Sequence, residues 1–456
     1  MNAGPTLAPG PKGVPVLGSL PAWKKDTAGF LLGVNRDYGQ VARVGLGPIT
    51  MHLVTEPAAV QRVLVDNNSN YVRGTLYEQF ATVMGSGLLT TDGPAWRAHR
   101  RTVQPVFLRK AVEALAPNIV QATSAMLDRW EVAAAAGQRV DLMAESLHLT
   151  LDTLSRSLFG YDITPSVSAL RSVVDGVIEI MFKRGTLAEM VPSWLPTKRR
   201  SLIRATKSEL YAMVEGVRAR KDPVGPAPLL DLMESAIDEE TGRHWTEDEI
   251  RDEILTIYLA GHETTAVSLY WTLLSVMQNP HVLDELDAEL SEVLSGRSPE
   301  LADLDRLDVT RRVVDESLRM YPPIWIFPRD AISDDQLDGY PIAGGSSVLL
   351  SPLVAQRDPR VWDEPDRFDP GRFTPEAVKA RPRMSYFPYG AGARMCVGNF
   401  LAGLELRLIL AMVTQRFHLL SDNDVTPQFG APLISLRPLN NTTVELRARH
   451  TARTPV

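Results

Sequence analysis

The residues that could do chemistry in this chain gather first around one sulfur. The stretch 387–402, FPYGAGARMCVGNFLA, holds three glycines, an arginine and Cys396, the only cysteine in 456 residues. A lone cysteine excludes an intramolecular disulfide and any multi-cysteine zinc or iron–sulfur centre. Behind it, VGNFLAGLELRLILAMVTQRF has the pattern of a strong amphipathic helix. Cys396 therefore falls near a helix N-terminus, where unpaired N–H groups and the positive end of the dipole favour a thiolate. Gly390, Gly392 and Gly398 let the backbone pass close to a flat, bulky group, and Arg394 is placed to hold a carboxylate at its edge. One thiolate in a shielded pocket suits the axial position of a haem iron. It does not suit zinc, which takes three or four protein ligands. Cysteine-protease chemistry needs a histidine base and stays open at this point, because the chain has eight histidines.

A second constellation lies far upstream. Thr246 and Glu249 form a Thr-x-x-Glu capping box, and a helical pattern runs from there to Gln278, where Asn279-Pro280 stops it. That is a helix of about 45 Å at 1.5 Å per residue. Its middle, IYLAGHETTAVSLYW, is apolar nearly all round and predicts passage through the centre of the molecule. Glu263 sits inside that run. It follows Gly261, which costs a helix about 1 kcal/mol relative to alanine, and precedes two threonines able to hydrogen-bond back to helix carbonyls. A charge and a weak point that coincide in a buried helix mark a candidate functional site.

The elements that must position these residues are mostly helical. Hydrophobic residues make up 44% of the chain and charged ones 23%, which supplies ample material for a core. Length alone allows two to four domains or one large one. No repeat, low-complexity tract or long polar linker divides the chain, and RKDPVGPAP (220–228) reads as a surface loop. A single domain over 1–456 is expected. Strand-like patterns fall at three remote places, about 36–60 with a turn at Gly47-Pro48, 323–352 and 425–447. The prediction is a mainly α fold with a small sheet assembled from distant segments. The net charge of -7 argues against a nucleic-acid partner. Prolines and glycines break up the N-terminal arm, and no uninterrupted apolar run reaches the ~18 residues of a membrane span. A cytoplasmic protein without a transmembrane anchor is expected.

Phe387-x-x-Gly390-x-Gly392-x-Arg394-x-Cys396-x-Gly398 resembles the haem-binding loop of the cytochrome P450 haem-thiolate monooxygenases. AGHETT (260–265) is similar to the oxygen-activating segment of that family's central helix. ESLR gives the Glu316-x-x-Arg319 pair, FDPGRF resembles the segment that completes its ion triad, and WRAHR (96–100) resembles the family's propionate-gripping helix. The resemblance spans nearly the whole chain. It implies the cytochrome P450 fold, haem b as cofactor and Cys396 as the thiolate ligand of its iron. It also implies propionate contacts from Trp96, Arg100, Arg329 and Arg394, and haem packing by Ala260, Gly261, Phe387, Gly390 and Gly398. Glu263 and Thr264 would form the acid–alcohol pair that moves protons. Arg372 would complete the triad, with Arg367 as its rival. Trp96 and Arg394 stand where many soluble bacterial members carry histidine. His99 is expected at the surface, and His262 is expected to point away from the iron.

The implied reaction inserts one atom of O2 into a C–H bond or double bond of a small lipophilic substrate, the other atom leaving as water. The chain shows no flavin or nicotinamide fingerprint, so electrons from NAD(P)H are expected through an external ferredoxin or flavodoxin and its reductase. Arg97, Arg101, Arg109 and Lys110 are the candidate docking residues. A monomer is expected. The resemblance places Met84, Met181, Phe182, Tyr258, Trp325, Ile326, Leu433 and Ile434 around the substrate, which suits a terpenoid or another natural-product intermediate. The alternatives are a fatty-acid hydroxylase, a peroxygenase, which the Glu263-Thr264 pair argues against, and a non-catalytic haem-binding protein.

Overall fold

A computed structural model describes residues 6–162, 198–219, 223–238, 241–421, 435–440 and 442–449. Six helices position the site: α1 (Gly93–Val103), α2 (Ala116–Ala135), α3 (Leu142–Leu154), α4 (Glu247–Gln278), α5 (Asp308–Met320) and α6 (Asn399–Arg416). Helix α4 begins where its capping box predicts. Glu249 N donates to Thr246 Oγ1 at 3.2 Å, and Thr246 N donates back to Glu249 Oε2 at 2.8 Å. The helix then runs unbroken through Gly261. That glycine serves packing: a Cβ there would lie 3.2 Å from Leu154 Cδ1, so its absence lets α3 come close. Helices α3, α5 and α6 all pack against α4, which is buried over most of its length.

The smaller part is β-structured. Strands β1 (Val41–Leu46), β2 (Ile49–Val54), β3 (Tyr71–Val72), β4 (Arg139–Asp141), β5 (Phe327–Ala331), β6 (Ser347–Leu350), β7 (Phe417–Leu420) and β8 (Thr443–Ala448) form two sheets. One sheet runs β1-β2-β6-β5-β3 and the other β4-β8-β7. Leu46 pairs with Ile49, so Gly47-Pro48 is a two-residue turn, and Gly47 has the left-handed φ of 65° that such a turn requires. Strands β2 and β6 are parallel, with Met51 opposite Ser347. Strands β3, β4 and β7 fall outside the three stretches expected to be extended. Two to four residues are too few to show alternation, and their pairing partners make them strands. Residues 425–434 and 441 of the third expected stretch lie outside the described residues. Among the described residues no helix is long and apolar enough to cross a membrane.

Candidate active site

The loop carrying the sulfur owes its path to glycine. Gly390 and Gly392 both have φ of 67°, and a Cβ on Gly392 would sit 1.9 Å from the Leu64 carbonyl oxygen. No other residue fits there. The loop closes through Cys396 N donating to Tyr389 O at 2.9 Å, and Arg100 Nη1 on α1 donates to Met395 O at 2.8 Å. Helix α6 begins three residues after the cysteine. Cys396 is an exposed residue, yet many protein atoms surround its sulfur. Burial pushes the thiol above its ordinary range despite an N–H from Gly398 and the charge of Arg100. The expectation that the helix N-terminus alone favours the thiolate is therefore corrected: desolvation outweighs it. A thiolate here calls for a cation as direct ligand, which haem iron provides.

The second constellation lies on α4. Ala260, Glu263 and Thr264 are accessible in the middle of an otherwise buried helix, at the i, i+3, i+4 spacing of one face. Thr264 Oγ1 donates to Ala260 O at 2.6 Å. Glu263 Oε1 accepts from Arg437 Nε at 2.7 Å and from Ser435 Oγ. Neither partner was visible in the sequence, because both come from a segment some 170 residues downstream. His262 turns away from this strip. Its Nε2 lies 3.1 Å from Leu147 O on α3, and burial holds its pKa down at about 4.

Four arginines crowd the rim. The Arg394 guanidinium lies 3.9 Å from the Trp96 ring centroid, donates to Thr91 O at 2.9 Å and pairs with Asp92. Burial, then repulsion from Arg73, pushes its pKa down to about 9, while Asp92 opposes the fall. Arg73 is brought down to about 10 by burial and by repulsion from Arg329 and Arg100, and its Nε is buried without a hydrogen-bond partner. Arg329 is buried as well. Sequence reasoning missed Arg73, which sits at the end of β3 with no motif around it. Crowded guanidinium groups with an orphaned donor form a site short of anions, and the two propionates of haem fit it.

Helix α5 braces the loop from behind. Glu316 and Arg319, both fully buried, form a bidentate pair at 2.7 and 2.9 Å. Burial pushes the Glu316 carboxyl up, against the pull of Arg319 and the Asp369 amide. Arg372 Nε stands 3.5 Å from Glu316, whereas Arg367 pairs at the surface with Glu364 and Asp369. The link to the sulfur loop is Gln356, another residue without a sequence signal. Its carbonyl accepts from Arg319 Nη1 at 2.8 Å, its Nε2 donates to Leu318 O and Arg319 O, and its Oε1 accepts from Phe387 N at 3.0 Å.

His99 is a correction. It is buried, with Nδ1 2.7 Å from Glu253 Oε2 and its ring 4.7 Å from that of Trp245. It shares a face with Val103, one turn on, which is buried too; the i, i+4 relation was the signal that a surface reading overlooks. Of the substrate-pocket candidates, Met84, Tyr258 and Trp325 are fully buried, and Ile326 keeps some accessible surface. Tyr258 is committed to the core, its hydroxyl 2.8 Å from Ser155 Oγ and its ring stacked on Phe159. Met181, Phe182, Leu433 and Ile434 lie outside the described residues.

An exposed cysteine with arginines around it, in a mainly helical fold whose long buried helix carries an acid–alcohol strip, defines a haem-thiolate protein. Residues 8–444 match the family model for cytochrome P450, and the chain belongs to that family. Cyclooctatin synthase of Streptomyces melanosporofaciens is 33% identical over 422 residues, 91% of this chain and 90% of that protein. Pentalenene oxygenase of Streptomyces avermitilis is 29% identical, covering 98% and 97%. The crystal structure of the cytochrome P450DA heme domain matches with a TM-score of 0.86 at 27% identity, over 98% of both chains. The chain is thus a P450 monooxygenase, with haem as cofactor and O2 as co-substrate.

Proposed function

We propose that this P450 hydroxylates or epoxidises a small terpenoid, with electrons from NAD(P)H delivered by an external ferredoxin or flavodoxin and its reductase. The observation that carries the oxygen-activating part is the accessible Ala260-Glu263-Thr264 strip, an acid and an alcohol side by side on an otherwise buried helix. Haem, when bound, supplies activation of O2 and transfer of one oxygen atom, the other leaving as water. Cys396 would ligate its iron, while Arg73, Arg100, Arg329, Arg394 and Trp96 would hold its propionates. The Thr264 hydroxyl donates its hydrogen bond to the Ala260 carbonyl, which leaves its oxygen free to accept another, and Glu263 beside it would pass on protons taken up from solvent. The apolar character of Ile324 and Ile326 and the names of the two Streptomyces relatives support a terpenoid substrate.

Arg97, Arg101 and Lys110 are exposed and suit an acidic redox partner. Arg109, also exposed, pairs with Glu113 at 2.8 Å and with Asp305 at 3.9 Å. We place the enzyme in the cytoplasm, where a lone cysteine ligand stays reduced. The test is optical. The reduced, CO-treated protein should show a thiolate-type Soret band that Cys396→Ser abolishes, and cyclic terpenes should shift the ferric spectrum. A band that survives Cys396→Ser, or a shift produced by fatty acids alone, overturns the reading.

A further inference from the structure

The accessible acid on α4 is held from outside its helix. Glu263, whose side chain is 12% exposed, meets Arg437 at 25% in an ion pair of 2.7 Å and also accepts from Ser435 Oγ. The segment 435–437 that supplies both partners is itself pinned at two points. Trp271 Nε1, two turns along α4, donates to Leu436 O at 2.8 Å, and Leu436 N donates to Pro323 O at 2.9 Å. Pro323 leads directly into Ile324 and Ile326, partly exposed apolar residues in the stretch that the family resemblance assigns to the substrate. Thr264 meanwhile donates to the Ala260 carbonyl. The acid is therefore tied to the C-terminal segment, and that segment is tied to the 323–326 stretch.

We infer that the Glu263–Arg437 pair is a latch. Arg437, with Ser435, is a positioning residue that withholds Glu263 from Thr264 until a lipophilic ligand pressing on the 323–326 wall displaces segment 435–437. Proton supply is then tied to occupancy of the pocket, which keeps the oxygen chemistry from running without substrate. This rests on the monooxygenase reading above. A ligand that must break a partly buried ion pair binds more weakly by the free energy of that pair.

The experiment compares Arg437→Leu, Arg437→Lys, Ser435→Ala and Glu263→Gln in the haem-loaded enzyme. The first readout is a spectral titration of the ferric protein with clotrimazole, a bulky lipophilic azole that ligates haem iron, beside a thermal melt of each variant. The second is reductant consumed without substrate. The latch predicts about fivefold tighter azole binding for Arg437→Leu and Glu263→Gln. It also predicts a raised substrate-free consumption in Arg437→Leu but not in Glu263→Gln, with Arg437→Lys restoring both values and Ser435→Ala falling between. Azole affinity that does not rise in Arg437→Leu, or an Arg437→Lys variant that behaves as Leu does, overturns it. Should Arg437→Leu fail to fold, the Ser435→Ala titration decides by the same criterion. The two readings fail separately. If Glu263→Gln leaves product per electron unchanged, the acid role of Glu263 falls; if it uncouples the enzyme while azole affinity stays fixed in Arg437→Leu, only the latch falls.

Discussion

Glu405 offers a stability measurement with a definite sign. It lies on α6, nine residues after the sulfur, 3% exposed, with Oε1 lacking a hydrogen-bond partner. Burial raises its pKa from 4.5 to about 8, and a hydrogen bond with Thr153 opposes the rise only in part. The folded protein therefore keeps a proton on Glu405 over a range of pH in which the unfolded chain has released it. Below pH 4.5 both states are protonated and the contribution to stability is whole; between there and about 8 it is lost progressively. A shift of about 3.5 units at 1.36 kcal/mol each gives a loss of about 5 kcal/mol. Glu405→Gln keeps the shape and cannot ionise. The assay is denaturant unfolding of both proteins at about pH 5 and about pH 9. Whatever the substitution itself costs cancels in the comparison, and since a little of the loss has already occurred at about pH 5, the variant should gain about 4 kcal/mol on the wild type between the two conditions. A wild type and variant whose stabilities run parallel with pH would refute the reasoning.

Other substitutions test the remaining contacts. His262→Gln should act in the opposite direction. Its folded pKa is depressed from 6.5 to about 4, so wild type loses about 3 kcal/mol as pH falls through that interval, and the variant should keep it. Glu316→Gln leaves the Arg319 guanidinium buried against a neutral partner and should cost about 3–5 kcal/mol in denaturant unfolding. Arg73→Leu should speed transfer of haem to apomyoglobin about tenfold, the value of one charge-assisted contact. Thr264→Ala should lower turnover by about 10² and release more of the consumed electrons as peroxide, read by product analysis.

What the sequence revealed and what it hid divide on a physical line. The loop around Cys396, the capping box at Thr246 and the turn at Gly47-Pro48 were legible because their chemistry is local, each fixed within a few consecutive residues. Arg73, Gln356 and Arg437 were not. An arginine beside a two-residue strand, a glutamine after a short helix and an arginine in a terminal segment acquire roles only from neighbours brought by the fold. His99 was misread because a five-residue motif was weighed without the helix face on which it lies. The thiol shows the same limit in energetic form: position at a helix N-terminus is visible in sequence, and the desolvation that outweighs it is not.

The pairing of Met51 with Ser347 has a kinetic consequence. Two strands almost three hundred residues apart close the larger sheet in parallel, and Gly392 of the sulfur loop nests against Leu64 in the same region. Such distant closures raise the loop entropy to be overcome and slow folding. During synthesis the N-terminal hairpin must wait, with one edge unpaired, until most of the chain has emerged. The cofactor pocket is therefore among the last features to form, and the maturing protein can capture haem only after its sheet has closed.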